Sequence, residues 1–292
     1  MTNTIGIAGT GRLAQALARL LAISGAPITA VAGRTPERAE GAARYAGDGV
    51  RSASFPELAG LANHIVIAVA DSAIEQVASE IASAPLAPAA VVHTCGAKGA
   101  DCLASLKARG AACGVMHPLQ TVPAPDAGLT ALRGSFWGVS GEEAAREWAA
   151  GIVHLIGGRV IEVPEGANAL YHSAGVMASN LVVATLGAAQ GVFCQATGVT
   201  PDLALRALAP LAMAAVSNAL ARGPHAALTG PVERGDAGTV AAHREALGAA
   251  PPAARELYRA ASLQALELAI AKGLAPQAAA ILKEILRRTD AE

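Results

Sequence analysis

The chain has 292 residues and a formal net charge of −1, its 22 Lys and Arg set against 23 Asp and Glu. That length suits two ordinary domains, and cations scattered without a basic stripe or aromatic platform argue against a nucleic-acid partner. Cys95, Cys102, Cys113 and Cys194 lack paired spacing, as suits a reducing cytoplasm, and the seven histidines lack metal-ligand spacing, so no metal is anticipated.

The first predicted element is an apolar strand over 4–9, followed by a glycine turn and an Ala/Leu-rich helix over 12–24. No secretory signal is read ahead of it, because residues 6–11 already belong to a folded motif. Gly9-x-Gly11-x-x-Ala14 is a dinucleotide-binding fingerprint with alanine at its third position. Gly9 allows the tight turn, Gly11 lets backbone approach a pyrophosphate, and Ala14 lets helix and strand pack closely. The free N–H groups of the helix start then face phosphate, so Gly9, Thr10, Gly11, Arg12 and Leu13 are the predicted cofactor contacts.

A second strand over 28–33 leads into Arg34 and Thr35, where a reader of the NAD ribose would carry Asp or Glu. A guanidinium forks onto phosphate oxygens, which predicts NADP as the cofactor. Arg34 also reads as a solvated charge at a helix start, with Thr35 capping a helix that has Pro36 at its first position. Both readings can hold together.

Further strands are predicted over 64–70, 90–94, 112–116, 136–140 and 159–163, with helices over 36–46, 73–83, 99–108 and 142–156. This alternation predicts an α/β fold, a Rossmann-type doubly wound, mostly parallel sheet. Ligand loops then fall at strand C-terminal ends, at 9–12, 33–35, 70–72, 94–96 and 117–121. Ala70 is assigned to the cofactor, and Thr94 and Cys95 to the substrate. From about residue 165 the pattern turns helical, with helices over 165–196, 201–221, 237–248, 252–272 and 275–288. The expected organisation is an NADP-binding domain, 1–164, and an all-helical domain for substrate and dimerisation, 165–292.

Residues 166–201 contain no Asp, Glu, Lys or Arg and imitate a membrane span by hydropathy. Asn168, His172, Ser173, Ser179, Asn180 and Gln190 interrupt the stretch, and no basic flank orients it. The predicted state is a buried helix covered by other helices or a second subunit, hence a cytoplasmic homodimer without membrane contact.

These motifs carry a resemblance. Gly6-Ile7-Ala8-Gly9-Thr10-Gly11, Met116-His117-Pro118-Leu119-Gln120-Thr121, Tyr171-His172-Ser173-Ala174 with Asn180, and residues 227–236 (Ala-Leu-Thr-Gly-Pro-Val-Glu-Arg-Gly-Asp) are the matching blocks. Over essentially its whole length the chain resembles bacterial two-domain oxidoreductases that join a Rossmann-like domain to a helical domain of unknown function. That family is similar to ketopantoate reductases, pyrroline-5-carboxylate reductases and the wider 6-phosphogluconate dehydrogenase-like group. The resemblance implies the fold and a nicotinamide cofactor more firmly than any substrate.

His117 follows the strand over 112–116 at the sheet edge where nicotinamide and substrate should meet, and imidazole exchanges protons near neutral pH. A His-Pro pair at this point is similar to one in prephenate dehydrogenases. The plainer alternative is a loop histidine bonding a nearby carbonyl. His172, Val176 and Asn180 stand at spacing four and share a helix face, flanked by Tyr171 and Ser173. The resemblance implies a lysine four residues before the asparagine; here that position is Val176, which leaves His172 or His117 as proton donor. His172 and Asn180 equally suit a mutually satisfied buried pair. Arg234 is the candidate anchor for a substrate carboxylate, unless it pairs with Glu233 or Asp236, and Asp236 is placed to cap a helix.

The resulting expectation is an NADP-dependent oxidoreductase moving hydride to a small carbonyl or imine acid. The catalytic set is His117, His172 and Asn180, and the substrate contacts are Thr94, Cys95, Ser173 and Arg234. A non-catalytic NADP(H) sensor, and an enzyme with a deazaflavin as hydride partner, are the alternatives.

Overall fold

The structure, a computed structural model, describes residues 3–288. In chain order its sheet is built from β1 (Ile5–Ala8), β2 (Ile28–Ala32), β3 (Arg51–Ala53), β4 (His64–Ile67), β5 (Ala90–His93), β6 (Ala112–Pro118), β7 (Phe136–Gly141) and β8 (Arg159–Glu162). Their order across the sheet is β3-β2-β1-β4-β5-β6-β7-β8. The first six follow the dinucleotide-binding order, in which β1 and β4 flank the point where the winding reverses. Every neighbouring pair is parallel except β6 with β7, where His117 lies opposite Gly138 and Met116 opposite Val139.

Alternation along the strands feeds two cores. Ile5, Ile7, Val66 and Val92 face helices α1 (Arg12–Ile23), α2 (Pro36–Ala46), α6 (Pro125–Ala131) and α7 (Glu143–Leu155). Ile65, Ile67 and Val91 face α3 (Phe55–Leu61), α4 (Ile74–Ala82) and α5 (Ala104–Lys107). Ile7, Leu17, Leu58 and Ile81 are wholly buried, and each such side chain contributes about 1.5–3 kcal/mol.

Three elements here lie outside the sequence expectation. β3 is only three residues long, with Arg51 and Ser52 exposed, too short and polar for a hydrophobic period. The α3 helix begins at a capping box in which Glu57 accepts the Ser54 N–H at 2.8 Å, a local signature that was present in the sequence. The α6 helix starts at Pro125 in a segment rich in turn residues.

By internal contacts the chain divides into one compact unit ending at Val176 and another beginning at Met177. The division falls within α8 (Asn168–Ala178), not at its start. The expected single helix over 165–196 is two, α8 and α9 (Asn180–Thr197), broken at Ser179 with φ −128° and ψ −76°. There the Ser179 hydroxyl donates to Asn180 Oδ1 at 2.9 Å, the kind of local bond that competes with helix.

The second unit continues through α10 (Pro201–Arg222), α11 (Pro224–Ala227), α12 (Ala237–Ala246), α13 (Pro252–Ala271) and α14 (Pro276–Arg287). Its core gathers Val232, Val240, Leu266, Ala279, Leu282 and Leu286. Of the two covers expected for the charge-free stretch, other helices or a second subunit, the described residues of this chain do not supply the first. The stretches Asn168–Thr197 and Pro201–Arg222 are long and apolar enough to cross a membrane, yet their most apolar windows are only 0% and 6% buried. Leu211, Met213 and Leu220 are among the side chains left exposed.

Candidate functional site

The first unit holds a cleft of about 470 Å³ outside the C-terminal ends of β1, β2 and β4. Gly9 adopts φ +139°, and a Cβ there would strike the Ala68 carbonyl oxygen. Gly11 is the N-cap of α1 and has open space where a Cβ would stand. No acidic residue occupies the first turn of α1, so its unpaired N–H groups and positive dipole end are free to meet an anion. Thr10, Arg12, Leu13, Ala70 and Thr94 also line the cleft.

Beyond β2 the cleft is lined by Gly33, Arg34 and Arg38. Thr35 takes the N-cap position of α2 with Pro36 behind it, but its side chain makes no capping bond. Arg38, in the first turn of α2, was not singled out from sequence.

A second group of side chains gathers at the ends of β5 and β6. His93 is wholly buried; its Nδ1 accepts the Cys95 N–H at 3.2 Å, and Nε2 lies 3.0 Å from the Gly99 carbonyl. Because Nδ1 accepts, Nε2 carries the hydrogen, and the imidazole clasps the loop from Cys95 to Gly99. Gly96 in that loop sits where a Cβ would collide with both His117 and His172. Those two rings lie edge-to-face with centroids 5.4 Å apart. Helix α8 is fixed to β7 at two points one turn apart: Asn168 Nδ2 donates to the buried Ser140 hydroxyl at 3.2 Å, and Tyr171 covers Gly138.

Burial first, then the neighbouring His172, pushes the His117 pKa down to about 4, while Asp71 acts in the opposite sense. Burial likewise lowers His93, against the pull of its Gly99 bond. Both imidazoles are therefore neutral around pH 7. Burial raises the Cys95 thiol, which disfavours a thiolate nucleophile.

The remaining predicted residues are placed differently. Cys95 is packed in the core, so it offers the loop its backbone N–H and little side-chain surface. Ser173 turns its hydroxyl back to the Leu170 carbonyl at 2.7 Å. The helix break removes Asn180 from the continuous face it was expected to share with His172 and Val176, and assigns it to the second unit. Arg234 is exposed in that second unit. Glu233 pairs with Lys272 at 2.7 Å, and Asp236 caps α12 by accepting the Thr239 N–H at 3.0 Å. His243 bonds Tyr258 at 2.9 Å. Asp71, His93, Gly96 and Tyr171 are the members of the histidine cluster that sequence reasoning passed over or left without a role.

With this geometry established, similarity to known proteins becomes informative. Residues 4–95 match the family described as NADP oxidoreductase, coenzyme F420-dependent, and residues 135–265 match a domain of unknown function, DUF2520. The chain therefore joins an NADP oxidoreductase domain to a DUF2520 domain, and it is an oxidoreductase. Among solved structures, a Thermotoga maritima protein is 23% identical with a TM-score of 0.72, covering 92% of this chain and 99% of its own. A Bacteroides fragilis protein named as a candidate NADP oxidoreductase is 22% identical with a TM-score of 0.70, covering 91% and 98%. A reductive aminase from Aspergillus terreus, in complex with NADPH and ethyl-5-oxohexanoate, is 18% identical with a TM-score of 0.58, covering 99% and 93%. At these identities the likeness shows the shared fold. No curated protein matches the chain in sequence.

The depressed His117 value sets the sign of a stability effect. An unfolded chain takes up this proton near pH 6.5, whereas the folded oxidoreductase resists it until about pH 4. Stability is therefore lost as pH falls through that window, with His93 and His64 shifted in the same direction. The thermal midpoint should fall from pH 7 to pH 5, above the range where carboxylates dominate, and His117→Gln should flatten part of the slope. An unchanged slope in the variant would show that His117 is not held neutral by the fold.

Proposed function

We propose that the protein is an NADPH-dependent reductase of a small carbonyl or imine compound, with His117 and His172 at its reacting centre. One observation carries this reading: two imidazoles converge beside the Thr94–Gly96 turn, while Thr94 itself lines the glycine-turn cleft. The residues present fit a dinucleotide phosphate. Gly9 permits the close turn, the space beside Gly11 is open, and Arg34 and Arg38 lie where a 2′-phosphate would be read.

When bound, NADPH supplies the hydride. The backbone N–H groups opening α1 would hold the pyrophosphate, and Arg34 and Arg38, which both line the cleft, would meet the 2′-phosphate. The neutral His117 polarises the acceptor oxygen or nitrogen by hydrogen bonding, and His172 delivers the proton that this atom gains as its carbon is reduced. Near the cluster lie Asp71 and the paired Lys98 and Glu75, 2.9 Å apart. With Lys98 already engaged, we take the reacting group as a neutral carbonyl or imine without requiring a carboxylate on the substrate. Asn180 and Arg234 belong to the helical unit and carry no part of this reading. The family description favours a second reading, in which coenzyme F420, a deazaflavin, is the hydride partner of NADP.

The exposed apolar surfaces of α9 and α10 support a homodimer in which a second copy covers them. Light scattering at micromolar concentration should give twice the chain mass, and a monomer would remove that part of the proposal.

Calorimetry should show NADPH binding more tightly than NADH. Arg34→Ala should weaken NADPH by about 1.5–3 kcal/mol, the scale of a hydrogen bond to a charged group, with NADH nearly unaffected. Equal losses for both would mean that Arg34 does not read the 2′-phosphate.

For the chemistry, NADPH oxidation should be followed with panels of ketones, cyclic imines and F420 as acceptors. On an accepted substrate, His117→Ala or His172→Ala should lower turnover about 100-fold or more, while NADPH affinity survives. Full activity in both variants would contradict the site assignment.

A further inference from the structure

Tyr171 has no part in the proposed chemistry, yet its placement is tightly determined. Its ring covers Gly138, where a Cβ would collide with the phenol, and stands edge-on to His117 with centroids 5.6 Å apart. The hydroxyl lies 3.1 Å from His117 Nδ1 and 3.4 Å from the His117 carbonyl oxygen.

A neutral imidazole has one N–H, so whichever nitrogen accepts a hydrogen bond makes the other the donor. The single phenolic hydrogen has two acceptors within reach, both on His117. Of the two acceptors there, Nδ1 is the nearer. The opposite edge of the ring, Cε1 and Nε2, faces the Gly96 position beside His172.

We propose that Tyr171 is a positioning residue that holds His117 in its Nε2–H tautomer, so that the imidazole presents an N–H donor toward the Gly96 turn. Burial keeps the ring neutral near pH 7, and the groups acting on it are Asp71, His93, His172 and Tyr171. Glycine at 138 is then explained by the phenol above it, and glycine at 96 by the imidazoles beside it. The role in reduction rests on the proposed function; the tautomer does not.

The test uses the full chain labelled with nitrogen-15 in histidine, without added cofactor. Long-range proton–nitrogen spectra between pH 6 and 8 should show His117 Nε2 bearing the proton and Nδ1 as a hydrogen-bonded acceptor. Tyr171→Phe keeps the ring over Gly138 and removes the hydroxyl; in it the His117 Nδ1 signal should lose its hydrogen-bonded shift and Nδ1–H should become populated. An Nδ1–H or charged His117 in the wild type at pH 7 would overturn the proposal. So would a Tyr171→Phe spectrum identical to the wild type. If the reductase activity is found, Tyr171→Phe should lower kcat about 10-fold or more, as a mis-set tautomer does, with NADPH affinity unchanged. Absence of NADPH binding would refute the proposed function while leaving the tautomer result standing.

Discussion

The rest of the first unit depends on how β1 is gripped from both sides. It pairs in parallel with β2 and with β4, and the chain leaving it must turn at once over the end of β4. The Gly9 N–H donates to the Ala32 carbonyl at 2.8 Å, and the Ala68 N–H donates to the Ala8 carbonyl, also at 2.8 Å. Only a residue without a Cβ fits between these contacts at φ +139°. The same turn aims the start of α1 at the crevice where the sheet reverses its winding. The N–H groups that open onto this crevice are thus a consequence of strand pairing more than of any special side chain.

The histidine cluster is likewise built on missing side chains. Gly96 makes room for two imidazoles and Gly138 for a phenol. The buried His93 then spans the loop that carries Gly96 and ties it to the strand end. The single antiparallel pairing in the sheet brings Gly138 opposite His117. Without that reversal, the segment supporting Tyr171 would not lie beside the β6 terminus.

The sequence made the strands with a clear apolar run legible, from β1 and β2 through β4 and β5. The glycine fingerprint, Arg34 and His117 were legible because strand ends and βα turns announce themselves locally. β3 and α6 lacked that announcement: one has three residues and the other begins among turn formers. Hydropathy marked the charge-free helices as needing cover without saying what covers them: it reports what a segment prefers, and the described residues of this chain do not supply that cover. Asn180 was misplaced because a spacing of four has meaning only within an unbroken helix, and Ser179 breaks this one. Tyr171 and His93 escaped functional assignment because their roles arise from β6–β7 pairing and loop closure, which no local pattern encodes.

The proposed chemistry requires that the glycine-turn cleft and the imidazole pair form one site. Titrating NADP into the nitrogen-15 histidine-labelled protein tests it most directly. In a single site His117 and His172 shift together along one saturation curve, while His64, at the N-terminal end of β4, stays unmoved. Saturable binding that leaves both imidazoles unperturbed would contradict it.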